Sequence, residues 1–134
     1  MKSIVAIALV AALSYAGSSN AACAYPKAPA TVPDGEKASK EEMLAAKKEF
    51  TQYNTDMTAY LNCIELEEDN GMKELEARGA TLTTEQEKQA YQRQKEDYKR
   101  KQDQKHDAAV DDLESNVERF NQQLRAYNKK VQKS

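Results

Sequence analysis

The feature that most constrains the fold of this chain is a long segment, from Leu82 to Ser134, that contains neither proline nor glycine. Its second half carries apolar residues at alternating spacings of three and four positions, namely Val110, Leu113, Val117, Phe120, Leu124, Tyr127 and Val131. Such spacing is typical of a helix that packs along its length against another helix. The segment therefore predicts one long helix over about residues 84–131.

The same spacing occurs earlier in the chain. Ser39 and Glu42 form a capping-box motif, in which each side chain binds a backbone N–H at the start of a helix. Apolar residues then recur at alternating spacings of three and four, namely Met43, Ala46, Phe50, Tyr53, Met57, Tyr60 and Ile64. This pattern predicts a first helix over about residues 40–78, which ends near Gly79.

Two long helices with a short link between them predict an all-α fold, an antiparallel and coiled-coil-like helical hairpin over residues 39–134. The link contains a second capping motif. We expect Thr83 to cap the second helix, with Gln86 as its reciprocal partner three residues later.

Two registers of this hairpin are compatible with the apolar stripes. If the chain folds about the middle of the link, Ile64 lies near Tyr98 and Phe50 lies near Leu113. If the two stripes align directly, Ile64 lies beside Val110, but the chain between the stripes must then take an irregular path. We therefore expect the register that is centred on the link.

Residues 1–22 have the features of a secretory signal peptide. Lys2 is followed by ten apolar residues, 4–13, and then by small residues that suit signal peptidase, with a cut after Ala21 or Ala22. Ten apolar residues are too few to cross a bilayer, which needs about 20. We predict an exported chain, periplasmic or extracellular, with no transmembrane segment after processing.

The two cysteines, Cys23 and Cys63, form an even pair in an exported chain, which favours a disulfide. Residues 23–38 contain all three prolines, so we expect an extended leader. Extended chain covers about 3.1 Å per residue, so the leader reaches about 50 Å, whereas Cys63 lies about 36 Å along the helix from Ser39. The leader can thus fold back to close the bridge. Lipidation of Cys23 is the alternative, but Asn20 stands where bacterial lipoproteins carry leucine.

Composition and isolated motifs argue against catalysis. Without Lys2 the chain keeps 19 basic and 22 acidic groups, a net charge of −3, which gives no attraction to nucleic acid. His106 is the sole histidine, and it stands among charged residues with no triad partner or zinc ligand set. The acidic run Glu65, Glu67, Glu68 and Asp69 lies on a helix, whereas calcium sites need a loop. We therefore predict no catalytic residue, cofactor or metal.

A set of short segments is spread over most of the chain. They are Cys23, Tyr25-Pro26, Pro33-Asp34-Gly35, Met43, Tyr60-Leu61-Asn62-Cys63-Ile64, Ala108-Ala109-Val110-Asp111 and Arg119-Phe120-Asn121-Gln122-Gln123-Leu124-Arg125-Ala126-Tyr127. Together they resemble a group of small exported helical proteins of Gram-negative bacteria. The resemblance implies a recurring scaffold and no particular activity. The polar stretch from about Glu65 to Gln104 lies outside it and looks like an extension of the hairpin tip.

A second resemblance is confined to the link. Leu82-Thr83-Thr84-Glu85-Gln86 is similar to the L-T-x-x-Q motif of periplasmic helical stress chaperones. Those proteins carry two copies of the motif and this chain carries one. The resemblance implies a holdase-type activity, in which unfolded chains bind exposed apolar patches.

The sequence as a whole favours a non-enzymatic exported protein that acts in the cell envelope by binding an unknown protein or envelope component. A periplasmic holdase-type chaperone is one alternative, and a small-ligand or metal-binding protein is another. Three leucines lie off the main stripe, namely Leu44, Leu61 and Leu66. We therefore also expect that the chain can form a homodimer, which would cover them.

Overall fold

The computed structural model describes residues 22–133, so the predicted signal peptide up to Ala21 lies outside the described residues. Two α-helices, α1 (Lys40–Gly79) and α2 (Glu85–Lys133), pack against each other as an antiparallel hairpin. At a rise of about 1.5 Å per residue they are about 60 Å and 74 Å long. The all-α hairpin fold expected from the sequence is confirmed. Neither helix contains an apolar stretch long enough to cross a membrane.

The caps explain where the two helices begin. At α1 the Ser39 hydroxyl accepts from the Glu42 N–H at 3.1 Å, and the Glu42 carboxylate accepts from the Ser39 N–H at 2.7 Å, as the motif predicts. At α2 the prediction of Thr83 and Gln86 is wrong. Thr84 caps the helix, and its reciprocal partner is Glu87. Both pairs have the required spacing, but glutamate offers a charged acceptor, which binds an N–H more strongly than an amide oxygen does.

The core consists of two clusters along the hairpin. Every residue of the α1 stripe is buried. The cluster near the start of α1 and the end of α2 comprises Ala38, Met43, Ala46, Phe50 and Phe120, with Val32, Leu124 and Tyr127 packed against it. The second comprises Tyr53, Met57, Tyr60, Ile64 and Ala109, with Cys23, Ala28, Leu61 and Leu113 packed against it. Between Ile64 and the link, Leu75 is the buried apolar residue of α1, so the hairpin tip has a much thinner core.

The buried line of α2 is displaced from the predicted stripe. Ala109 and Asn116 are buried, whereas Val110 and Val117 are only half-buried. Val131 is 53% exposed. The displacement arises because α2 packs on two neighbours, α1 and the leader, so its most enclosed line faces the space between them and not α1 alone.

The observed register is neither of the two considered. Phe50 stacks on Phe120, with ring centroids 4.8 Å apart, and not on Leu113. Tyr98 lies against Gly71, about two helical turns beyond its expected neighbour Ile64. The sizes of the side chains that face each other explain this register. A Cβ at Gly71 would lie 2.6 Å from the Tyr98 ring, so the glycine provides the space that the tyrosine fills. Apolar spacing alone carries no such information about size.

The leader forms a third layer over one half of the hairpin. Its first residue, Cys23, is joined to Cys63 by a disulfide, and the leader then runs back along α1 to Ala38. At Gly35 the leader approaches α2 so closely that a Cβ would lie 2.8 Å from the Tyr127 backbone nitrogen. The disulfide and the folded-back leader inferred from chain length are both present. We call the part of the hairpin that the leader covers the clamped half; it comprises the leader, residues 40–63 of α1 and the facing part of α2. Residues 64–105 form the open half.

Candidate functional site

The site of most interest lies where the leader begins, at the disulfide. One carboxylate oxygen of Glu67 accepts from the Cys23 backbone N–H at 3.0 Å, and the other accepts from the Lys105 ammonium at 2.7 Å. The Lys105 hydrogen bond, and after it the Cys23 N–H, hold the pKa of Glu67 below its usual range. Glu67 therefore joins the leader, α1 and α2 at the boundary between the clamped and open halves.

The same residues bring three possible metal-ligand atoms together. The sulfurs of Cys23 and Cys63 and a Glu67 oxygen all lie within 4.8 Å of one another. The sulfurs are bonded to each other, however, and both Glu67 oxygens already accept hydrogen bonds. Metal binding needs thiolates, so the closed disulfide does not offer a metal site. His106 lies apart from this group, 3.5 Å from Asp107 on the half-exposed side of α2.

A polar junction further into the clamped half holds the three layers together. The Tyr25 hydroxyl of the leader and the Tyr53 hydroxyl of α1 both donate to the same Asp112 oxygen, at 3.0 and 2.9 Å. The buried Asn116 amide donates to the other Asp112 oxygen at 3.0 Å. Tyr25 also packs edge-on against Tyr60. Both oxygens of the carboxylate are thus satisfied by groups that converge from three layers.

This junction makes stability sensitive to alkaline pH. Burial, and after it the hydrogen bond to Asp112, raises the pKa of Tyr25 to about 12, and the same causes raise the pKa of Tyr53 further. An unfolded tyrosine has a pKa of about 10, so the folded state keeps protons that the unfolded state releases. We expect the free energy of unfolding to hold up to about pH 9 and to fall from about pH 10 toward pH 12.

The measurement is chemical denaturation over this range, with tyrosinate absorbance followed in parallel. Tyr25→Phe and Tyr53→Phe should each flatten the alkaline slope, because the phenylalanine has no proton to lose. Ionisation of both tyrosines near pH 10 in the folded protein, at about the model-peptide value, would contradict the expectation.

The leader follows one stripe of α2 in which residues recur every seven positions. The stripe comprises Gln102, Ala109, Asn116, Gln123 and Lys130. Gln123 accepts from the Gly35 backbone N–H at 2.9 Å, and the Lys130 ammonium donates to the Ala38 carbonyl at 2.7 Å. Side chains of this stripe therefore bind the backbone of the leader directly, at the turn over residues 35–37 and at Ala38.

Beyond Cys23 the space between the helices is no longer filled by the leader. It forms an open groove of about 790 Å³, lined by Ala59, Asn62, Cys63, Leu66, Glu67, Asn70, Gly71, Glu74, Tyr98 and Gln102. A second hollow of about 530 Å³ shares Gly71, Glu74 and Tyr98 with it and continues toward the link past Arg78 and Arg93. Ala59 and Cys63 also border the cleft beside leader residues 24–26. The groove thus begins where the leader stops.

The floor of this groove is built by Tyr98 and Gln102. The Tyr98 hydroxyl donates to the Glu67 carbonyl at 3.1 Å, across the face of Gly71. Burial is the main reason that the pKa of Tyr98 is raised. The side-chain oxygen of Gln102 is buried and has no hydrogen-bond partner among the described residues. Most buried polar atoms in proteins are paired, so this acceptor requires an explanation.

The predicted site residues are distributed unevenly around these features. Cys63 of the predicted disulfide borders the groove. The core beneath the leader contains the predicted α1 stripe and four residues of the α2 stripe, Leu113, Phe120, Leu124 and Tyr127, but not Val110 or Val117. The groove residues Leu66, Tyr98 and Gln102 were not predicted as a site. The sequence did carry a partial signal, since Leu66 lies off the apolar stripe and is 65% exposed.

Comparison with known proteins identifies no relative. No protein-family model matches the chain. No curated protein and no solved structure is similar to it.

Proposed function

We propose that this chain is a non-enzymatic, exported protein that acts in the cell envelope, periplasmic or extracellular, by binding another macromolecule through the open half of its hairpin. One observation carries the proposal. The leader covers the groove between the helices as far as the border at Ala59 and Cys63, and none of the described residues, 22–133, covers its continuation along α1 toward Arg78. A folded chain that seals one half of a groove and leaves the other half accessible has a surface available for a partner.

The apolar content of this surface supports the same proposal. Leu66 is 65% exposed at the edge of the groove, and the Tyr98 ring forms its floor. Contiguous exposed apolar surface that is rimmed by polar residues marks interaction sites, whereas a lone exposed leucine does not, so the support comes from Leu66 and the Tyr98 ring lining one groove. The surrounding residues here are charged or amide side chains, namely Asn62, Glu67, Asn70, Glu74 and Gln102.

The disulfide supports the exported location. A bond between Cys23 and Cys63 persists in oxidising compartments and is rare where cellular thiols keep cysteines reduced. The sulfur of Cys23 is consumed in this bond, so the same atom cannot carry a lipid thioether.

The test is site-specific photo-cross-linking in living cells. A photoreactive residue is placed at Glu74 or Arg93 in the open half, and at Lys47 in the clamped half as a matched control on the exposed face of α1. We expect a discrete adduct at both open-half positions and none at Lys47. Mass spectrometry of the adduct then identifies the partner.

The other results would each overturn the proposal. A smear of many adduct sizes would indicate a holdase-type chaperone, which binds many unfolded chains. Equal adducts at Lys47 would show that the open half has no special role. No adduct at any position in the envelope would remove the basis for a macromolecular partner.

A further inference from the structure

We infer that the open groove accepts an extended, lysine- or arginine-bearing segment of a partner protein, which continues the course of the leader beyond Cys23. This inference rests on the proposed function and names the chemistry of the partner. Three features support it: the leader binds as an extended segment between the helices, side chains of an α2 stripe bind that leader, and the groove carries acidic charge.

The leader shows which kind of chain fits between these helices. It is extended up to Asp34, it contributes small apolar side chains such as Ala28 and Val32 to the two core clusters, and it approaches α2 closely at the turn that begins with Gly35. The open groove lies between the same two helices and shares Ala59 and Cys63 with the cleft beside the leader. A second extended segment would therefore extend an existing interface.

The α2 stripe supplies a matching hydrogen-bond group in the open half. Gln102 lies 21 positions before Gln123, which is three repeats of seven, so both side chains occupy the same line of α2. The Gln123 oxygen accepts a leader backbone N–H, whereas the Gln102 oxygen has no partner within residues 22–133. Because the last side-chain torsion of glutamine is soft, the Gln102 amide can turn toward a segment in the groove. A backbone N–H of that segment then satisfies it as Gly35 satisfies Gln123.

The charges of the groove select a basic segment. The charged groups that line its wider part in the described chain are both acidic, Glu67 and Glu74. Lys105 already pairs with Glu67, so Glu74 supplies the charge that a bound segment meets. Glu65, Glu68 and Asp69 add further negative charge along the same stretch of α1. Cations gain from such a field and anions lose, with an effect that salt weakens. The alkyl part of a lysine or arginine side chain can at the same time pack on Leu66 and Tyr98.

The test uses the whole disulfide-bonded chain without its predicted signal peptide, labelled for amide NMR. The probes are three extended alanine–proline peptides of equal length that carry two lysines, two serines or two glutamates. At millimolar concentrations we expect the lysine peptide to shift the signals of Leu66, Tyr98 and Gln102 most, the glutamate peptide least, and added salt to reduce the lysine effect.

Variants locate the binding. Leu66→Ser and Glu74→Gln should each weaken the binding of the lysine peptide several-fold. Glu49→Gln removes an exposed acid of the clamped half and should leave that binding unchanged. Equal shifts from all three peptides, no shift, or shifts centred outside the groove would overturn the inference. So would groove signals that move with protein concentration alone, since a second copy would then be the occupant. If cross-links form at Glu74 but no peptide binds, this inference fails and the proposed function stands.

Discussion

Replacing Cys63 with serine will lower the melting temperature of the protein by on the order of 20 °C. The disulfide closes a loop of 40 residues. In the chain-entropy model such a loop raises the free energy of unfolding by about 4 kcal/mol, an upper estimate because native-state strain subtracts from it. Total stabilities of small domains are about 5–15 kcal/mol, so this is a large share. Thermal unfolding followed by circular dichroism measures the effect.

The expected loss has a distinct structural pattern. Besides the disulfide, the leader is held by a few hydrogen bonds and by its packing on the two core clusters. Its release should speed tryptic cleavage after Lys27 and Lys37, because the backbone there becomes mobile, while α1 and α2 retain helix signal. Reduction of the unaltered protein is the matched control and should reproduce the variant. An unchanged melting temperature, or mass spectrometry that finds two free thiols or a lipid on Cys23, would refute the prediction.

Phe50→Ala should lower the free energy of unfolding by about 3–5 kcal/mol. Phe50 is 4% exposed and its ring stacks on Phe120, which joins α1 to α2 in the clamped half. The substitution removes the burial of an aromatic ring, leaves a cavity and deprives Phe120 of its stacking partner. Denaturant titration gives the change directly.

Leu44→Ala is the matched control for this substitution. Leu44 lies on the same helix but is 55% exposed, so its loss should change stability by less than about 0.5 kcal/mol. Comparable effects of the two variants would mean that the cluster around Phe50 does not carry the stability of the clamped half.

The sequence was most informative where one rule decided the outcome. The α1 stripe from Met43 to Ile64 follows a period that has no competing interpretation, and all its residues are buried. The leader could be placed because chain length, export and the cysteine pair each pointed to Cys63. The first prediction depends on the spacing of apolar residues and the second on the length of the extended leader, and both can be read directly from the sequence.

Predictions that depend on fit between layers failed. Tyr98 packs at Gly71 because the glycine leaves room for it, and apolar spacing does not encode that match. The buried line of α2 passes through Ala109 and Asn116 because the leader is a second neighbour. The open groove could not be foreseen for the same reason, since its position is set by the point at which the leader stops.

The placement of the disulfide also determines how the molecule responds to force. The bond closes a covalent ring from Cys23 to Cys63, and α2 lies outside that ring. A pull that separates the two helices at the link meets little resistance at first, since Leu75 is the buried apolar residue of α1 there. The separation then reaches Ile64 and Glu67, where the third layer begins and the leader contacts both helices. The ring keeps the leader on α1, so further separation of α2 must also break the hydrogen bonds that the leader makes to α2.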